Sequence, residues 1–240
     1  MTMTRQLPAR FLVADPAHGP LPLLLLGLTV LTGVVDAVSI IALGRVFVAN
    51  MTGNVVFVGF AIAGVAGFSL AASLLGLVAF LVGAGVGGRL IGWLGSDRPR
   101  LLAVATSAEL ALFGVATVVV GLAGQPVPSG SRDAAVTVLA VATGIQNAAV
   151  WRLAVPDLTT TVLTMTLTGI AADIRGNVRS TAFARRLLAV ATMLGGAVAG
   201  AELVLHESPT AALAVGTGLV AVVTAAAWQT TRHPAAWRAA

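Results

Sequence analysis

The chain has 240 residues, of which 58% are hydrophobic and only 10% charged, and its mean hydropathy is +0.97; a water-facing domain carries about 25% charged residues. Its net charge of +5 rests on fourteen arginines with no lysine, placed beside apolar segments, which speaks for orientation against a bilayer and excludes a nucleic-acid partner. With no cysteine, disulfides and thiol chemistry are excluded as well.

Residues 1–20 read as an N-terminal cytoplasmic tail. Arg5 and Arg10 precede an apolar run, as in a secretory leader. No small-residue cleavage site follows, however, and the run continues through Ile40-Ile41-Ala42-Leu43, so 21–43 is predicted to be a retained first span. Spans are also predicted over 69–93, 101–123, 134–155, 187–206 and 210–230, each near the ~20 apolar residues that a ~30 Å hydrocarbon core demands. Ser96-Asp97-Arg98-Pro99 reads as a turn and 124–133 as a loop, with prolines at 126 and 128. Ser208-Pro209 supplies a cap and a first-turn proline for the last span, before a tail over 231–240.

Two segments fit less easily. Segment 46–66 opens on Asn50-Met51-Thr52-Gly53-Asn54, and segment 158–172 carries six threonines in fifteen residues. Both are short or polar for a span, and non-helical backbone at membrane depth requires protein or water to satisfy it. Arginine placement arbitrates. If both segments return to the side they entered from, twelve arginines fall inside and only Arg45 and Arg132 outside. If both cross, the split is nine to five; if only the first crosses, it is eleven to three. The expectation is therefore an all-α polytopic bundle of six spans plus two re-entrant or broken helices, with both termini cytoplasmic.

The halves also resemble each other. Gly33-Val-Val-Asp36-Ala37 matches Gly144-Ile-Gln-Asn147-Ala148 at an offset of 111, and Thr52-Gly53-Asn54 matches Thr164-Met165-Thr166 at 112. Gly83 and Gly88 match Gly195 and Gly200, again at 112. Three spans per half (21–123 and 134–230) place the second half upside down. That is the inverted repeat common among secondary transporters, whose sites use broken helices at the repeat interface.

Gly33-Val-Val-Asp36-Ala37-Val-Ser39, Leu43-Gly44-Arg45 through Asn50-Met51-Thr52-Gly53-Asn54, Gly144-Ile-Gln146-Asn147-Ala148 and Pro156-Asp157-Leu158-Thr159-Thr160-Thr161 together resemble the YoaK-type family of small bacterial membrane proteins. The resemblance covers most of the chain. It implies a location in the inner membrane and about six spans, and no activity. The family usually has glycine at the position of Met165, whose bulk would narrow a site there.

Asp36, about eight residues or ~12 Å from the outer end of its span, is a functional-site candidate, because a charge at that depth is costly. The alternative is a structural partner for nearby hydroxyls and amides. Asn50, Thr52, Gly53 and Asn54 form a polar strip around a point of unwinding, with Gln146, Asn147, Thr160 and Thr164 as the second half's counterparts. Together with Asp36 they would line the path of a small polar solute or ion; otherwise they cap broken helices and satisfy freed backbone. Threonines also bond their own helix carbonyls.

Glu109 is either a proton relay or a structural acid, and Arg89 and Glu202 reach toward the interface. The small-residue stripes Gly83-x-x-x-Gly87, Gly88-x-x-x-Gly92 and Gly196-x-x-x-Gly200 suit helix packing, within the chain or against a second copy. His18, His206 and His233 lie at span ends or in tails, and neither metal spacing nor a nucleotide or hydrolase motif is present, so no enzyme, metal or cofactor is expected. The two functions in contention are a small transporter or channel-like permease and a non-transporting scaffold or accessory subunit.

Overall fold

A computed structural model of the protein describes residues 17–174, 180–232 and 236–238. Arg5, Arg10, Arg175, Arg179 and His233 lie outside the described residues. The helices are α1 (Leu21–Ala42), α2 (Met51–Ile62), α3 (Leu70–Leu94), α4 (Arg98–Ala123), α5 (Ser129–Leu153), α6 (Thr164–Asp173), α7 (Thr181–His206) and α8 (Pro209–Thr230). Six of them, all but α2 and α6, are long and apolar enough to cross a membrane, giving an all-α polytopic bundle.

Local chemistry sets the helix starts. Asp97 accepts from the Arg100 amide at 3.3 Å ahead of Pro99, and Ser208 accepts from the Ala211 amide at 3.0 Å ahead of α8. Two spans begin earlier than hydropathy predicts, α5 at Ser129 rather than 134 and α7 at Thr181 rather than 187. Extended Pro128 leads into α5, and Ser180, accepting from the Phe183 amide at 3.0 Å, caps α7. α5 opens on Ser129-Gly130-Ser131-Arg132-Asp133 and α7 carries Arg185 and Arg186 just after its first turn, so a hydropathy window passes over both starts. The predicted loop at 124–133 shortens accordingly.

The helices pack across the two halves. α1 lies against α7 and α3 against α5, while α4 and α8 contact each other and reach α5 and α1 respectively. Glycine makes the closest approaches possible. A Cβ on Gly83 would fall 2.1 Å from the Val141 carbonyl oxygen, and one on Gly196 would fall 2.1 Å from that of Val30. A Cβ on Gly33 would fall 2.3 Å from the Met193 oxygen, and one on Gly144 would fall 2.3 Å from the Phe80 oxygen. Gly87 and Gly200 sit one turn further along the same two crossings. The glycines in matching contacts are thus 83 with 196 and 87 with 200, a separation of 113 rather than the 112 of the sequence pairing. Gly88 and Gly195 face open space, with nothing within 4 Å.

α3 shows how this works in lipid. Its buried positions are small (Ser73, Gly76, Ala79, Gly83, Gly87), whereas Leu74, Val78, Leu81, Val82 and Val86 point outward. Large apolar side chains facing out are stable only in hydrocarbon, and small ones facing in let backbones meet.

The two ends of the bundle differ. Arg98 donates to the Leu153 and Ala17 carbonyls and Arg238 pairs with Asp97 at 3.0 Å, which gathers the start of α1, the start of α4, the end of α5 and the last described residues at one end. All four tryptophans (93, 151, 228 and 237) lie toward that arginine-rich end, the interfacial level that indole favours. Arg45, Arg132 and the α7–α8 turn lie at the other.

Candidate functional site

Where α1 stops, Gly44 (φ 97°) and Arg45 (φ 58°) turn the chain back, and Val46, Val48 and Ala49 run buried into the bundle before α2 begins. Asp36, six residues or about 9 Å inside the end of α1, accepts the Ala49 amide at 3.1 Å through Oδ1. Asn54, in the first turn of α2 and fully buried, accepts the Phe47 amide at 2.8 Å and donates to the Phe47 carbonyl at 2.7 Å. Asn50 caps α2 by accepting from the Gly53 amide at 3.4 Å. The Gly53 backbone lies against the Phe47 ring, where a Cβ would come within 2.4 Å. The 12-residue α2 is about 18 Å long. Arg45 then lies beside Gly67, just ahead of α3, so the segment ends at the end of the bundle where it began.

The second segment runs from Ala154 to Leu163, with Ala154, Asp157 and Thr160 all at positive φ, and leads into α6. Thr161 donates to Asn147 Oδ1 at 3.1 Å, and Gln146 donates to Thr160 Oγ1 at 3.0 Å. Arg186, in the second turn of α7, grips both ends of the segment, with Asp157 and Asp173 each at 2.7 Å. This segment therefore also starts and finishes at one end, the arginine-rich one.

The middle of α5 touches both segments. Thr143 donates to the Val48 carbonyl of the first, and three residues later Gln146 holds the second. The Gln146 carbonyl oxygen is buried with no partner among the described residues.

The predicted residues divide into two groups. Asp36, Asn54, Gln146 and Thr160 are buried in the interior, with Asn147 half-buried beside Thr161. Thr52 and Thr164 are exposed on the outside of the bundle, and Asn50 and Gly53 serve the cap of α2. Met165 is 75% exposed and points away from the core, so it narrows nothing there. Glu109 is fully buried on α4, and neither carboxyl oxygen has a partner among the described residues. Glu202 pairs with His206 at 3.1 Å on the surface. Among the described residues no group of three or more metal-ligating side chains converges.

Sequence reasoning passed over three features. Phe47, Phe57, Phe60 and Phe68 stack in a chain of rings with centroids 4.8 to 6.2 Å apart, sealing α2 against its loop. The Asp157–Arg186–Asp173 clamp joins residues distant in sequence, so no spacing reveals it. Thr143, in helical register with Gln146 and Asn147, carried a signal that was legible: a third polar side chain on the inner face of one apolar span.

A cavity of about 550 Å³ opens at the end of the bundle opposite the arginine-rich one, lined by Ile40 to Arg45, Gly67 to Ser69, Ala72, Ser129, Arg132 and Asp133. A second, of about 480 Å³, opens beside Asn147, Trp151, Thr159 and Thr161, toward the other end.

The family described as Protein of unknown function (DUF1275) matches residues 24–226, nearly the whole bundle. The chain is 33% identical to the UPF0700 transmembrane protein YoaK of Bacillus subtilis (strain 168) over 155 residues, covering 63% of this chain and 67% of that one. No solved structure matches. With six apolar helices in the fold and a family match from the first span into the last, the chain belongs to the DUF1275 family and is a multi-pass protein of the bacterial inner membrane.

Proposed function

We propose that the protein is a small carrier or channel-like permease for a polar solute or ion, built as an inverted repeat of three spans and one re-entrant segment per half. The observation that carries this reading is the pair of interruptions. They enter from opposite ends, and both are fastened to the middle of α5, through Thr143–Val48 and Gln146–Thr160. Broken segments meeting near mid-depth are where secondary transporters place their sites. One cavity opens beside the first segment toward the outer end and another beside the second toward the arginine-rich end. Asp36, Asn54, Gln146, Asn147 and Thr160 would line the path, with Asn50, Thr52, Gly53 and Thr164 at its margins. Asp36 and Glu109 are the buried carboxyls able to carry a proton. The arginine-rich end, holding the first and last described residues, faces the cytoplasm.

Reconstituted vesicles are expected to take up at least one member of a panel of polar solutes and ions faster than empty vesicles. Uniform failure across the panel would remove the reading.

A second reading, a scaffold or accessory subunit, rests on a different observation: Asn54 spends both amide atoms on Phe47 and neither cavity reaches it. The outward-facing Gly85, Gly88 and Gly92 of α3 would then meet a partner helix or a second copy. Cross-linking through that face, with no flux, would favour it.

A further inference from the structure

In the six-span arrangement Arg45 and Arg132 are the two arginines assigned to the outer side, and the fold brings both to the wall of the same ~550 Å³ cavity. They are 87 residues apart in sequence, one after the first span and one at the start of α5. Among the described residues neither guanidinium has an ion pair or hydrogen bond, in contrast to Arg186, which engages two carboxylates. Asp133 is the one acidic residue on the cavity, so two positive charges face one negative. Asp133 offsets only one of them, so a net positive charge remains on this concave surface.

The backbone is arranged to hold Arg45 there. It sits at φ 58°, a conformation costly for a side-chain-bearing residue, and such outliers persist where the surroundings impose them. Gly67 leaves room for it; a Cβ there would fall 2.6 Å from an Arg45 guanidinium nitrogen. α5 begins at the cavity with no side-chain cap on its first amides, so its positive end adds to the field.

We propose that this cavity binds a small oxyanion, a phosphate or carboxylate group, between Arg45 and Arg132. Guanidinium matches such groups with paired N–H donors, and the anion relieves the repulsion between the two arginines. Asp133 limits the charge accepted and leaves a singly or doubly charged group as the fitting ligand. The source is either a free anion or the headgroup of an anionic lipid, since the cavity opens where α1 ends and α5 begins. The site is independent of transport, because binding from this end requires no passage through the bundle.

The test uses the full chain, in detergent for calorimetric titration with inorganic phosphate and with succinate. In parallel, native mass spectrometry reads the lipid retained after extraction from phosphatidylglycerol or phosphatidylcholine vesicles. Arg45→Gly suits the left-handed backbone, so the fold survives loss of the guanidinium; Arg132→Gln and the inner-end Arg100→Gln complete the set. Saturable phosphate or succinate binding, weakened at least tenfold by Arg45→Gly and by Arg132→Gln but unchanged by Arg100→Gln, establishes a free-anion site. Selective retention of phosphatidylglycerol that both outer variants lose establishes a headgroup site. Absence of both behaviours in the wild-type chain, or their persistence in the Arg45→Gly/Arg132→Gln double variant, overturns the proposal. None of these outcomes bears on flux, so the carrier reading stands or falls separately.

Discussion

The two interrupted segments hold comparable places in the two halves, yet they are fastened by different chemistry. In the first, side chains bond backbone: Asp36 takes the Ala49 amide and Asn54 closes on both polar atoms of Phe47, under a lid of four phenylalanines. In the second, side chains bond side chains, through Gln146–Thr160, Asn147–Thr161 and the two carboxylates on Arg186, and residues 154–173 contain no aromatic residue. A backbone bonded by an amide has one register. Hydroxyls and a guanidinium on flexible stems can exchange partners. The first segment is therefore expected to be the rigid member of the pair and the second the adaptable one.

Asn54→Leu should do the most damage. It strands the amide and carbonyl of Phe47 in the interior, and at about 1–3 kcal/mol for each buried unsatisfied group the loss comes to about 3 kcal/mol or more. The drop should appear as a lower melting temperature and lower monodisperse yield in detergent. Retention of wild-type stability would mean that the first segment is not locked as described. Arg186→Gln releases Asp157 and Asp173 together, and charged hydrogen bonds of this kind place the loss at about 2–3 kcal/mol. Protease cleavage within 154–174 should rise while cleavage within 43–69 stays unchanged.

The glycine crossings test whether the halves are equivalent. Gly33→Ala and Gly144→Ala each push a methyl into a backbone oxygen 2.3 Å away, an overpacking that costs about 1–3 kcal/mol. Their melting shifts should agree closely, whereas Gly88→Ala, facing open space, should shift nothing. A clear inequality would break the equivalence. Asp36→Asn gives the first half the residue found at position 147 and keeps an acceptor for Ala49. Stability should change by less than about 1 kcal/mol, roughly the worth of one hydrogen bond, while any proton-coupled flux is lost. Flux that stays pH-dependent in this variant would remove Asp36 as the coupling group.

Much of this was legible in the chain itself. Long apolar runs punctuated by Asp97-Arg98-Pro99 and Ser208-Pro209 mark spans directly, and arginine bias pointed to six. Asp36, Asn54, Gln146 and Thr160 stood out because a polar group in hydrocarbon must find a partner. The identity of those partners was hidden: that Asn54 would close on both polar atoms of Phe47 depends on a chain reversal at Gly44-Arg45 that no periodicity encodes. The glycine register also slipped by one, since Gly87 and Gly88, like Gly195 and Gly196, are adjacent and only packing chooses between them. Thr52 and Thr164 were drawn in by their neighbours, although helical geometry turns them outward.

Two segments that enter and leave at the same end, one from each side, define the proposed architecture. Because the chain has no cysteine, single cysteines can be placed cleanly at Arg45 and Val65, bracketing the first segment, and at Pro156 and Ile174, bracketing the second. With a membrane-impermeant maleimide on intact cells, positions 45 and 65 should both label, and 156 and 174 should label only after permeabilisation. Opposite behaviour within either pair would show that segment crossing the membrane and would contradict the architecture.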